Sequence, residues 1–298
     1  MAPGPRPRGP RRQQMPSVLP YLWMLSGSLS FALMATMAHA LGPYCDWRVI
    51  ALARTFLAMV FAAALALAAG EKLVFPGPRT LWVRSLAGSV SLVCTFFAFT
   101  QLPVSDVLTL TNMFPIWVAL LSWPLLKEAP SRGVWLSVGS GVLGVALIQQ
   151  PHLAEGNLAT LIALFSSFFT AVAMLGLHRL NGLDVRAIVV HFSGVALLAC
   201  LASFFWVDRP VRFENVLGGW GLVLLLGVGV SATVGQLFLT KAFAAGPPAK
   251  VSVVGLTQIV FAMGLELLLG RDSFSPATLA GMALVVVPTA WLMTRRPG

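Results

Sequence analysis

The sequence predicts an all-α integral membrane protein: ten transmembrane helices arranged as two inverted five-helix repeats. Three observations predict it. Only 10% of the 298 residues are charged and 57% are hydrophobic. A soluble domain carries about 25% charged residues, so this chain cannot clothe a water-facing surface and lipid must solvate much of it. Its apolar residues fall into ten runs, mostly near the ~20 residues with which a helix crosses hydrocarbon. The two halves also read alike at a fixed offset of 144 residues.

Residues 1–17 are mainly Pro, Gly, Arg and Gln and cannot bury a core, which predicts a disordered basic tail. Met15, just before the first apolar run, is an alternative start to Met1. The runs fall at 18–41, 48–69, 81–101, 104–126, 133–148, 158–177, 187–207, 220–243, 251–269 and 276–293. The first ends near Ala38-His39-Ala40, which resembles a signal-peptide cleavage site. Its stretch is longer than a signal core and nine more follow, so it reads as a span. Most runs are apolar all round, as a helix in lipid is. Barrel strands would alternate instead, and a helix satisfies its own backbone where no water can. The first repeat is placed at 18–150, the second at 151–294, and a short basic tail at 295–298.

Orientation follows from Lys and Arg. With a cytoplasmic N-terminus, fifteen of them fall in cytoplasmic segments, Lys72, Arg79 and Arg84 included, and four fall opposite, Arg48, Arg209, Arg212 and Arg271. That bias predicts a multi-pass protein of the cell inner membrane with both termini cytoplasmic. It also accounts for the net charge of +10 without nucleic acid, for no patch interleaves aromatics with basic residues as a strand-binding surface does. Cys45, Cys94 and Cys200 form no disulfide framework. The four His residues make no close pair for a metal. No phosphate-cradling Gly-rich loop ends in Lys-Ser or Lys-Thr, and no Ser, His and acid set shares a depth. The chain is therefore read as non-enzymatic and free of metal or other cofactors.

The repeat appears when Leu102-Pro103-Val104-Ser105-Asp106-Val107 is laid over Gly246-Pro247-Pro248-Ala249-Lys250-Val251; without a gap, Leu125 then meets Leu269, Glu128 meets Asp272 and Ser131 meets Ser275. Each copy is a Pro-containing turn, a long apolar helix, an acid, a Ser and another apolar helix. Five crossings per copy make the second enter the bilayer from the other side, with a binding site at the interface. The stretch Phe97–Ile148, with Pro103-Val104-Ser105, Pro115, Glu128, Ser131 and Gly139-Gly141-Gly144, resembles the EamA domain of the drug/metabolite transporter superfamily. Leu239–Leu292 repeats it with Pro247-Pro248-Ala249, Asp272 and Ser275. Lys127-Glu128 and Gly270-Arg271-Asp272 depart from the usual Gly-Glu. The resemblance covers nearly the whole chain after residue 17. It implies ten helices in two domains and export or exchange of small molecules such as amino acids, nucleotide-linked metabolites and drugs.

A charge at mid-bilayer costs about 2.5–3.5 kcal/mol on insertion scales, so each needs a reason. Arg54, about two turns into the second helix, reads either as a cavity-facing cation or as a side chain snorkelling to the headgroups. Glu266, late in the ninth, reads as a coupling carboxylate or as an interfacial partner of Arg271 or Arg54. Asn112, Gln236 and Gln258 lie nearer mid-helix, flanked by Thr111 and Thr257. Such groups bind polar cargo or tie helices together; as a set at similar depth they are the candidate binding site. Phe96, Phe97, Phe99 and Trp117 offer an apolar wall or gate. Gly133-Ser137-Gly141 and Gly227-Ser231-Gly235 form small-residue stripes suited to close packing, and Pro115, Pro124 and Pro288 can kink their helices.

These features predict a secondary transporter of a small polar or amphipathic solute, working by alternating access. The first four helices of each half would line the site, with the fifth and tenth outside, where they could support a homodimer. Two rivals are an enzyme on a lipid-linked substrate, which needs acids or His grouped at one interface, and a channel or scaffold, for which a uniform polar lining is expected.

Overall fold

Twelve helices make ten crossings among the residues that the computed structural model describes, which are 18–102, 104–150, 158–180, 182–205, 218–270 and 275–294. The first half contributes α1 (Leu19–Leu41), α2 (Trp47–Ala68), α3 (Arg79–Gln101), α4 (Val104–Thr111), α5 (Phe114–Leu126) and α6 (Arg132–Gln149). The second contributes α7 (Leu158–His178), α8 (Val185–Ser203), α9 (Trp220–Ala245), α10 (Pro248–Gly255), α11 (Thr257–Leu268) and α12 (Pro276–Thr294). No strand occurs among these residues.

Local chemistry explains the starts. Pro20 and Pro248 lie in the first turns of α1 and α10, where a missing N–H is no loss. Asp46 and Asp184 cap α2 and α8, accepting from the backbone N–H of Arg48 at 2.9 Å and of Arg186 at 2.8 Å. Each carboxylate also grips the guanidinium of the same arginine, with Nε to Oδ1 at 3.0 Å in both. The second span of each repeat thus opens with one Asp-x-Arg clasp. The Arg186 side chain holds the Asp184 carboxyl below its ordinary pKa.

The fourth and ninth spans are each divided, α4 from α5 at Asn112-Met113 and α10 from α11 at Leu256. Pro115 explains the first break. It has no N–H for the carbonyl four residues back, and its ring crowds that carbonyl, which belongs to Thr111, the last residue of α4. At the second, Thr257 Oγ1 donates to the Val254 carbonyl at 2.7 Å, and Leu256 alone interrupts the helix. Residue 112 plus the repeat offset is residue 256, so the breaks fall at equivalent positions.

Nearly all the heavy packing joins one repeat to the other. α1 packs on α9 as α7 does on α3; α2 on α9 as α8 on α3; α1 on α10 and α11 as α7 on α4 and α5; and α2 with α8, α6 with α12, pair with their own counterparts. Such exchange is what inverted repeats require. Followed around, the contacts close a ring of α1, α9, α2, α8, α3, α7, α5 and α10. The small-residue stripes do packing work: Gly227 faces Met37, and Gly235 faces Phe31 of α1. Outside the ring, α6 and α12 pack on each other. A Cβ on Gly144 would sit 2.6 Å from the Gly281 carbonyl oxygen, and one on Gly281 would sit 2.6 Å from that of Gly144. Gly133 abuts Trp291 and Gly141 abuts Leu256, so this face of α6 is covered within the chain.

Hydroxyls tie α3 to α7. Ser166 Oγ donates to the Ser91 carbonyl at 2.9 Å, and Thr95 Oγ1 lies 2.6 Å from it. Ser91 Oγ is 2.6 Å from Thr170 Oγ1. Hydrogen bonds between membrane helices average about 0.6 kcal/mol and reach about 1.7. Ser166→Ala is therefore expected to lower the melting temperature of detergent-purified protein measurably while leaving it folded and monodisperse.

The ring is packed most continuously toward one end. With the end that holds the start of α1 termed the amino face, the largest buried apolar cluster lies wholly in that half: Met24, Leu81, Val118, Leu177, Ile188, Phe243, Val251, Val254 and Leu292 belong to it. There α7 and α9 meet across the ring, with His178 Nδ1 donating to the Phe243 carbonyl at 3.1 Å. Toward the opposite face the apolar contacts split into separate groups, one around Leu41, Ile50 and Leu224, another around Ala98, Leu102 and Ala163. The broken helices follow the same division. α5 packs on α10, while α4 leans on α7 and α11 on α1. All of α10 except Lys250 is buried; from Val260 to Glu266 every residue of α11 is partly exposed.

Candidate functional site

The two breaks meet inside the bundle. Phe114, which opens α5, lies 3.6 Å from where a Cβ on Gly255 would be, and it packs with Leu256. Asn112, Thr111, Gln258 and Trp117 are half-buried around them, while Thr257 is buried. Part of this polarity is used locally. Asn112 Nδ2 donates to the Leu108 carbonyl at 2.8 Å and so caps α4, and Thr111 Oγ1 bonds the Val107 carbonyl at 2.8 Å. Trp117 Nε1 donates to Ser167 Oγ at 2.9 Å, its ring edge-on to Phe168. Asn112 Oδ1 and the Gln258 amide are the groups at the breaks with capacity for a solute.

Across the ring, α2, α3, α8 and α9 enclose a second cluster. Arg54, Thr55, Ala58, Leu92, Phe192, Ser193, Ala232 and Gln236 line one small void of about 10 Å³. Two predicted residues, Arg54 and Gln236, are thus together, apart from the Asn112 and Gln258 group. No carboxylate pairs with Arg54 among the described residues; its guanidinium lies 6.0 Å from the centre of the Phe31 ring. Counted from the Asp-x-Arg clasps, Arg54 and Phe192 hold the same place in α2 and α8, eight residues past Asp46 and Asp184. The void therefore sits where the repeats mirror one another.

Arg84 is a correction. Read above as part of a cytoplasmic segment, it lies inside α3 and is 1% exposed. Its guanidinium lies 3.9 Å from the centre of the Phe192 ring, and Nε, Nη1 and Nη2 have no hydrogen-bond partner among the described residues. A Cβ on Gly88 would come within 2.6 Å of Arg84 Nη1 and 2.7 Å of Phe192 Cε2, so glycine there makes the pocket. Beside it Ser85 Oγ is 2.8 Å from Nδ1 of buried His191, on which Trp82 stands edge-on. The signal for Arg84 was present in the sequence as a cation inside an apolar run with a glycine one turn later. Arg48, counted opposite, is likewise buried, but its own Asp46 pairs with it.

Other expected residues lie further out. Glu266 is half-buried near the end of α11 and is engaged with a neighbour; Arg271 lies outside the described residues. Phe96 and Phe97 line a cavity of about 190 Å³ with Trp47, Arg48 and Cys200 near the opposite face, where Trp47 stacks on Phe96 at 5.0 Å. The Phe99 side chain lies outside the described residues. A larger cavity of about 590 Å³ opens at the amino face among Ser122, Glu128, Arg132, Lys250 and Trp291, with His178 Nε2 3.7 Å from Glu128. No group of three His, Cys, Asp or Glu able to hold a metal occurs among the described residues.

Comparisons with known proteins agree with this architecture. The profile of the EamA-like transporter family matches residues 18–150 and 156–294. The chain is 32% identical over 232 residues to the Pseudopaline exporter CntI of Pseudomonas aeruginosa, covering 77% of this chain and 80% of that one. It is 27% identical over 221 residues to an uncharacterized transporter of Helicobacter pylori, covering 70% and 72%. A solved crystal structure superposes with a TM-score of 0.79 at 17% identity, over 92% of this chain and 96% of the other; it speaks for the fold alone.

Proposed function

Because the chain belongs to the EamA-like transporter family, we propose that this membrane transporter is a secondary carrier that moves a small polar or amphipathic metabolite by alternating access. One observation carries the reading: both repeats break their fourth span at equivalent residues, and the breaks meet beside the largest buried apolar cluster, which lies toward one face. Helices interrupted in corresponding positions of inverted repeats are a mark of carrier binding sites. A conformation closed on one side is also one of the two states that a carrier needs. A relative named as an exporter supports outward movement. The Lys and Arg distribution supports a cytoplasmic amino face in the cell inner membrane, with both termini inside. The lipid-facing sides of α6 and α12, where Leu136, Leu143 and Val287 are exposed, remain for a second copy.

Single thiols test this. With Cys45, Cys94 and Cys200 replaced, Met263→Cys on the half-exposed stretch of α11 should react with an impermeant maleimide in intact cells. Val254→Cys, beneath the seal on α10, should react only in inverted vesicles, and more slowly. In a protein carrying both, blocking Met263→Cys from outside should suppress the second reaction. Simultaneous labelling of Val254→Cys from both sides would mean a channel.

A further inference from the structure

We infer that the transported solute is an anion bearing a carboxylate or phosphate group, and that Arg54 and Arg84 hold it in succession on either side of Phe192. The inference rests on the carrier reading and adds its substrate class. Among the described residues, Arg48 and Arg186 have their carboxylates from the same turn. Arg54 and Arg84 have none, although both lie within spans. At 1.5 Å per residue, Arg54 is about 12 Å into α2 from Asp46 and Arg84 about 9 Å into α3 from Pro78, and they enter from opposite faces. A buried cation must be paired or neutralised, and long arginines escape only where water is near. Arg84 is 1% exposed, against an aromatic ring, with no guanidinium nitrogen partnered among the described residues. A ring face compensates a guanidinium only in part.

Geometry joins the two. Phe192 takes Arg84 against its ring and also walls the void that Arg54 and Gln236 help to line. The side chain thus touches the surroundings of both cations, Arg54 lying nearer the opposite face and Arg84 nearer the amino face, and an anion passing from one to the other would pass this ring. Planar guanidinium forks fit carboxylate and phosphate oxygens in pairs, and the Gln236 amide supplies a neutral donor beside them. A cationic solute would meet like charge at both positions and is excluded.

The test loads proteoliposomes of the full chain with a bacterial metabolite extract split by ion exchange into anionic, neutral and cationic fractions, and follows release by mass spectrometry. Release confined to the anionic fraction is expected. Arg54→Gln and Arg84→Gln should each slow it by about tenfold or more, the scale of one charge-assisted hydrogen bond. Arg54→Lys should recover part of the rate. Thermal melting of each variant separates loss of the site from loss of the fold; if Arg84→Gln does not fold, the Arg54 pair alone decides. Which masses leave then distinguishes carboxylates from phosphates. Release from the neutral or cationic fraction, or an undiminished rate in well-folded Arg54→Gln, overturns the inference and leaves the carrier standing. Release from no fraction overturns the carrier reading itself.

Discussion

Phe243→Ala is expected to make a thiol at Val254 react with an impermeant maleimide from the amino face at least about tenfold faster. Phe243 is fully buried and belongs to the cluster that closes that face, and its carbonyl receives the bond from His178. Truncating a buried Phe costs about 3–5 kcal/mol. If the seal formed identically in every state, the loss would appear only as lower stability. In a carrier the seal exists in one state and is broken in the other, so the loss falls on the sealed conformation and shifts the balance toward the opened one. About 1.4 kcal/mol of that difference is already tenfold in population, less than half of what the ring contributes. A lower melting temperature with unchanged labelling would show the cluster to be ordinary packing and would count against alternating access.

Gly144→Val is expected to cost the most stability of any glycine-to-valine change in α6. The new Cβ would lie 2.6 Å from the Gly281 carbonyl oxygen, 2.8 Å from Val285 Cγ2 and 3.1 Å from Leu284 Cβ. A backbone oxygen cannot turn away as a side chain can, so the helices must part. That also strains the 2.9 Å bond from Ser140 Oγ to the Leu284 carbonyl. Overpacking typically costs about 1–3 kcal/mol, and parting two backbones belongs at the upper end. Gly281→Val should do the same from the other side. Gly139→Val is the control, since nothing lies within 4 Å of its added carbon; its melting temperature should not fall. Equal effects at 139 and 144 would show that the loss reflects helix propensity and not the seam.

The crossings and the repeat were legible because both depend on bulk patterning. Length and apolarity locate a span whatever its neighbours are, and the pairing of Glu128 with Asp272 set the register in which the breaks later matched. The Asp-x-Arg starts at Asp46 and Asp184 were a second repeat signature, hidden by an offset six residues shorter. The breaks were half legible. Pro115 announces the first, whereas no proline marks Leu256. Arg54 and Gln236 could be named from polarity, but their meeting depends on how α2 and α9 turn, and helices that are apolar all round carry no stripe to fix that rotation. Arg84 was misplaced because a cation near the start of a span is normally free to reach headgroups; only the packing of Gly88, Gly176 and Phe192 shows that this one is shut in.

The interlocking of the repeats bears on how the chain is made. α1, made well before α9, packs on α9, α10 and α11 and has no major partner among α2 to α6. Its α9-facing side, Phe31 and Met37 included, must wait, exposed to lipid, until Trp220–Ala245 has been synthesised and inserted. Assembly is therefore a late event, gated by the eighth crossing, and a nascent chain that stops short of Trp220 leaves α1 with nothing to settle against.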